Sequence, residues 1–155
     1  MTLRSIYVGL AVALVFIYAI GSGLWVSSGD GWYQSLNRPL WQPPSSVFGL
    51  IWPYNFVMLG FVGALVTKNG TNLIANLWLI FLAISVAGAL VWARLFYVNH
   101  ALGASGFALS LAALSTVPLT FMAFRYSMGA GIAMVPYNIW LFIAASLAFG
   151  YSYLN

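Results

Sequence analysis

The acid–base inventory of this chain is almost empty. Asp30 is the one carboxylate, His100 the one histidine, and there is no cysteine. Paired-carboxylate hydrolysis and a His/Cys/carboxylate metal cluster are therefore excluded, as are disulfides and thiol nucleophiles. A Ser–His–Asp triad would need Asp30 and His100 to meet beside a serine, and nothing local marks a nucleophile. Proton-coupled transport usually leaves an acid inside a span, and none sits in the apolar stretches here. The aromatic inventory is rich: Trp, Tyr and Phe make up 17% of the residues. Phe48, Trp52 and Phe56 recur every four residues, so on a helix they stack along one face. Pro136, Trp140, Ala144 and Leu147 share another face. Trp32 and Trp41 flank a proline-rich segment stiff enough to hold a ring over a bundle. These stripes serve either interhelical packing or the walls of a pocket for a flat apolar guest.

The elements that must position these rings are membrane helices. The chain is 63% hydrophobic and 4% charged, against roughly 25% charged in soluble domains. Arg4, Asp30, Arg38, Lys68, Arg94 and Arg125 cut it into five long uncharged windows. A helix needs roughly 20 apolar residues to cross a core of about 30 Å, so each window spans once. The expected fold is an all-α integral membrane protein, one bundle of five transmembrane helices at about 3–26, 45–67, 72–97, 102–125 and 130–153. Residues 1–26 are read as a retained first helix rather than a cleaved signal, because the apolar run is long and lacks a clear cleavage site. Three connections are short, which makes neighbouring spans antiparallel. The fourth, 27–44, is long and holds three prolines; long ordered loops are usually functional. Pro43 and Pro44 suit the entry to the second span, where a missing N–H costs nothing. Arg4, Lys68 and Arg125 on one side against Arg38 and Arg94 on the other favour a cytoplasmic N-terminus by a narrow margin. The net charge of +4 forms no basic run, so nucleic acid is not a partner. Trp25, Tyr7, Tyr126, Tyr151, Tyr153 and Trp78 fit an interfacial aromatic belt. Ala83-x-x-x-Ala87-Gly88 in the third span and Gly60-x-x-x-Ala64 in the second allow close helix approach.

From Trp32-Tyr33 through Leu36, Arg38-Pro39, Trp41, Pro43-Pro44 and Phe48-Gly49 to Trp52, the chain resembles the TspO/translocator protein family. That family includes the tryptophan-rich sensory proteins and the peripheral benzodiazepine receptor. Trp92-x-x-Leu95-Phe96-Tyr97 resembles the end of its third helix, and Pro136-Tyr137-x-x-Trp140 with Ala144-Ala145-Ser146-Leu147 its fifth. The resemblance implies a five-helix bundle, usually a homodimer, here expected through Ala83, Ala87 and Gly88. It implies a pocket near the long loop that binds porphyrins such as protoporphyrin IX and haem as ligands, with no obligatory cofactor. Members also bind sterols and benzodiazepine or isoquinoline ligands, and some bacterial members promote light-driven porphyrin breakdown. Residues matching the family's pocket are Trp32, Trp41, Phe48, Ile51 and Trp52, then Phe107 and Leu111, then Trp140, Ala144 and Leu147.

Two further residues are candidates for pairing with the propionates of a tetrapyrrole, Arg38 and His100. Trp52 and Trp140 are the oxidisable rings for a photochemical activity. A small membrane scaffold or regulator is the remaining alternative. The chain also departs from the family. Its usual third-helix Gln and Asn fall on Ser85 and Ala89, its fifth-helix Asn on Ala148 and its second-helix Tyr on Phe56. The pocket therefore loses hydrogen-bonding groups that orient guests in apolar sites. No basic residue follows Tyr151 or Tyr153, so the sterol-recognition pattern, weak even when present, is absent.

Overall fold

A computed structural model describes residues 2–28 and 30–155, without the side-chain surroundings of Ser27, Ser28 and Asp30. The described residues form helices and no strands: α1 (Leu3–Ser28), α2 (Asp30–Ser35), α3 (Ser45–Asn69), α4 (Asn72–Tyr97), α5 (Leu102–Tyr126) and α6 (Met128–Leu154). Five of them, all but α2, are long and apolar enough to cross a membrane. The expected spans stand within two residues at every end. One difference is in the long connection, where residues 30–35 form a short helix. Pro44 is the N-cap of α3. The connections after α3 and α5 are closed by Thr71 and Ser127, whose hydroxyls accept from the backbone N–H groups of Ile74 (3.3 Å) and Ala130 (3.1 Å), satisfying donors that a helix start leaves open.

The spans close into a ring. α1 packs on α3 and α4, α4 on α5, α5 on α6, and α6 returns to α3. Pro53, Pro118 and Pro136 lie inside spans, which membrane helices tolerate when neighbours re-satisfy the backbone. Several buried hydroxyls turn back onto their own helices, as in Ser22 to the Tyr18 carbonyl (2.7 Å) and Thr67 to that of Gly63 (2.7 Å), a low-cost way to carry them through hydrocarbon.

Two expectations change. Trp78 does not face outward: it is fully buried, its indole against the backbone of Gly63. Gly88 does not face outward for a second copy. A Cβ there would lie 2.9 Å from the Ala108 carbonyl oxygen, so this glycine sets the close approach of α4 to α5 inside the chain. Ala83 and Ala87 are exposed on another side of α4.

Candidate functional site

A cavity opens between the long connection and the bundle, with a volume of about 450 Å³, inside the roughly 300–1,000 Å³ range of small-molecule sites. α1 contributes small residues, Ala19, Ser22 and Gly23, with Val26. α3 contributes Phe48, Trp52 and Phe56, the stripe spaced by four. Trp92, Phe96 and Tyr97 come from α4, and Ala144, Leu147, Ala148 and Tyr151 from α6. The connection supplies the polar side, Tyr33, Gln34, Arg38 and Gln42, with Ser45 at the start of α3. The result is an aromatic floor deep in the bundle and a polar mouth.

Trp52 is the hub of the floor. Its indole stacks on Trp92 (centroids 6.4 Å apart) and Phe56 (5.7 Å), and meets Tyr18 (6.1 Å) and Trp140 (6.3 Å) edge to face. Trp140 also stands edge-on to Phe48 at 5.1 Å. Stacked and edge-to-face pairs of this kind are the favourable geometries of aromatic quadrupoles, so the floor is rigid and presents ring faces.

The connection is fastened as a lid. Asn37 donates its backbone N–H to Asn155 Oδ1 (2.9 Å), and Asn155 Nδ2 donates back to the Asn37 carbonyl (3.1 Å). Trp41 lies over α6, where its ring and Pro39 fill the space a side chain at Gly150 would need, and its indole N–H reaches Ser146 Oγ at 3.3 Å. Tyr151 donates to Gln42 and lies 3.1 Å from the Tyr33 hydroxyl. On the other side Trp32 stacks flat on His100, centroids 3.8 Å apart and 6° from parallel. His100, in the short turn after α4, has φ 56°, a left-handed backbone that strains a non-glycine residue, and its imidazole lies against the lid. Among the described residues Arg38 is the one cation lining the cavity, with Nη2 donating to Gln34 Oε1 at 2.5 Å.

Of the candidates from sequence, Arg38, Phe48, Trp52, Ala144 and Leu147 come together around the cavity. Trp140 braces its floor, while Trp32, Trp41 and His100 hold the lid. Three lie elsewhere. Ile51 faces a shallow outer groove with Val47, Leu50 and Tyr54. Phe107 and Leu111 are 72% and 53% exposed on the outer face of α5, where apolar side chains meet lipid. Among the four departures from the family pattern, Phe56 and Ala148 line the cavity. Ser85 does not: its hydroxyl donates to the Ala112 carbonyl (3.1 Å) and lies 3.3 Å from that of Tyr137. Sequence reasoning missed the α1 wall, whose small residues carry no motif. It also left Trp92, Phe96 and Tyr97 without a pocket role, although they stand in a block that resembles the family, and Tyr151, expected in the interfacial belt, is buried and lines the cavity.

Residues 9–154 match the model of the TspO/MBR family. Protein CrtK of Rhodobacter capsulatus is 30% identical over 94% of this chain and 91% of its own length. The tryptophan-rich sensory protein of Cereibacter sphaeroides is 30% identical over 94% and 92%. The tryptophan-rich protein TspO of Chlorobaculum tepidum is 29% identical over 97% and 94%.

Proposed function

Since this chain belongs to the TspO/MBR family, a family of multi-pass membrane proteins that includes tryptophan-rich sensory proteins, we propose that it is a membrane sensor or transporter whose cavity binds a tetrapyrrole such as protoporphyrin IX or haem. The observation that carries this reading is one cavity combining the exposed face of Trp52 with Arg38 at the mouth. A flat macrocycle stacks on the Trp52 and Phe56 rings, and its carboxylates stay at the polar end beside the guanidinium. Arg supports such pairing with a fixed fork of donors. The rings and the guanidinium that line the cavity hold the guest by stacking and charge. His100 is occupied by Trp32 on the far side of the lid. The test is a protoporphyrin IX titration followed by tryptophan quenching, repeated with Trp52→Ala and Trp140→Ala. Saturable quenching near one equivalent, weakened in both variants, supports the reading. Linear quenching identical in all three proteins removes it.

A second reading is light-dependent porphyrin degradation. It is favoured by the oxidisable rings of Tyr18, Trp92 and Trp140 packed around Trp52. Illumination of the porphyrin-loaded protein in air discriminates. Loss of the Soret band to a defined product, abolished by Trp52→Phe, supports catalysis, and bleaching at the rate of free porphyrin removes it. A scaffold role gains if porphyrin leaves tryptophan fluorescence unquenched at micromolar concentration. Pairing of two copies through α4, if it is part of the function, uses the exposed Ala83 and Ala87 and not Gly88.

A further inference from the structure

The seam between α1 and α3 is closed at one end and open at the other. Far from the lid, Arg4 Nη1 reaches the Thr67 carbonyl at 3.5 Å, so the two helices run antiparallel. In mid-span a Cβ at Gly60 would lie 4.0 Å from Val15 Cγ1, and Tyr18 meets the Phe56 ring edge to face, centroids 5.1 Å apart. Toward the lid the contact ends. Gly49 stands eleven residues before Gly60, about three turns, so it points to the same side of α3. A Cβ there meets nothing within 4 Å. Gly23 of α1 also meets nothing within 4 Å; it is exposed and lines the cavity. Gly23 is five residues beyond Tyr18 and Gly49 seven before Phe56, so the two glycines lie within a turn of the same depth. Pro53 has no N–H to give the Gly49 carbonyl, which leaves α3 least restrained at this height. The fastenings of the lid described above all lie on the α4 and α6 side.

We infer that this gap is a lateral window, through which the guest passes between the bilayer and the cavity. The inference rests on the tetrapyrrole reading and adds the route and the phase that supplies the guest. Ala19, Ser22 and Gly23 of α1 frame one side, and the α3 face at Gly49 the other. A macrocycle edge-on is one atom layer thick, roughly 3.5 Å, and fits between helices whose facing positions carry no side chain. A porphyrin dissolved in lipid keeps its rings in the hydrocarbon and its carboxylates at the headgroups. Gly49 is only four residues, about 6 Å, into α3, so the window lies just beneath that level. Sliding in sideways brings the rings onto Trp52 and Phe56 and the carboxylates to Arg38 with no change of depth. The lid grips the guest from above through Arg38 and Gln42 and does not have to open to admit it.

The test measures exchange in both directions. Chain in nanodiscs is mixed with vesicles preloaded with protoporphyrin IX, and loaded chain with empty vesicles, with tryptophan quenching as the readout. Gly49→Phe sets a ring in the window from a position with open space around it. Entry and exit both slow about tenfold, and Kd stays within about twofold. The chain has no cysteine of its own, so Asn37→Cys with Asn155→Cys, joined by a short bis-maleimide, ties the lid down where those residues already bond. Exchange in the cross-linked protein keeps the wild-type rates. Should Gly49→Phe fail to fold, the cross-linked protein carries the test alone. Unchanged rates in Gly49→Phe, affinity lost there through a faster exit alone, or exchange that stops when the lid is tied overturns the window and leaves the tetrapyrrole reading standing. If protoporphyrin does not bind the wild-type chain, the tetrapyrrole reading falls and the window with it.

Discussion

Replacing Arg38 with Gln tests the charge at the mouth of the cavity. The substitution keeps a long polar side chain and removes the cation at the mouth of the cavity. Two unit charges about 4 Å apart attract by about 1 kcal/mol in water and about 4 kcal/mol at an effective dielectric of 20. Arg38 is exposed, so the water-like end applies, and desolvating the pair offsets part of the rest. A loss of about 1–1.5 kcal/mol follows, five- to tenfold in Kd. The assay is fluorescence quenching in nanodiscs of zwitterionic lipid, with protoporphyrin IX and its dimethyl ester run side by side. Arg38→Gln weakens the dicarboxylate and leaves the ester unchanged. Raising ionic strength erases the difference between wild type and variant, because exposed charges are screened over about 8 Å at physiological salt. Equal losses for acid and ester would refute charge pairing and assign Arg38 to holding the lid through Gln34. No loss for either would place the carboxylates elsewhere.

Three further outcomes follow from the packing. His100→Ala leaves porphyrin affinity within about twofold, since the imidazole faces Trp32 and not the cavity, but proteolysis within residues 30–44 becomes faster as the lid loses that stack. Gly150→Val pushes a side chain into Trp41 Cζ2 and Pro39 Cγ, 2.7 and 2.8 Å from a Cβ, so the lid lifts and porphyrin dissociates faster in stopped-flow measurements; an unchanged off-rate would show that the lid does not retain the guest. Gly88→Leu sets a side chain against the α5 backbone at 2.9 Å and costs about 1–3 kcal/mol or more of stability, read as a lower melting temperature with the protein at any concentration. A change confined to its dimerisation would return this glycine to an intermolecular face.

Span number and limits were legible because charges are so sparse that each one punctuates the chain. Which face of a span looks inward was not. Membrane helices are apolar all round, so periodicity carries little directional signal. Phe107 and Leu111 were placed at the pocket by resemblance, yet nothing in their composition separates a lipid-facing ring from a pocket wall. Trp78 shows the reverse: an indole expected at the headgroups fills the gap over Gly63. The four-residue stripe on α3 is legible as one face because residues spaced by four share a side of a helix, and the lid is legible from its prolines. The α1 wall was silent, since Ala19, Ser22 and Gly23 act by leaving space.

A flat guest seated between Trp52 and the lid is tested most directly by locating it. Iron(III) protoporphyrin added to chain labelled with 15N-tryptophan broadens nearby indole N–H signals through its paramagnetic iron. Trp92 touches Trp52, whereas Trp78 lies 14 residues back along α4, about 21 Å away along the helix axis. Binding in the cavity broadens Trp52, Trp92 and Trp140 first and leaves Trp78 sharp at one equivalent. Broadening that spares Trp52, or that reaches Trp78 equally, contradicts a tetrapyrrole site at this cavity.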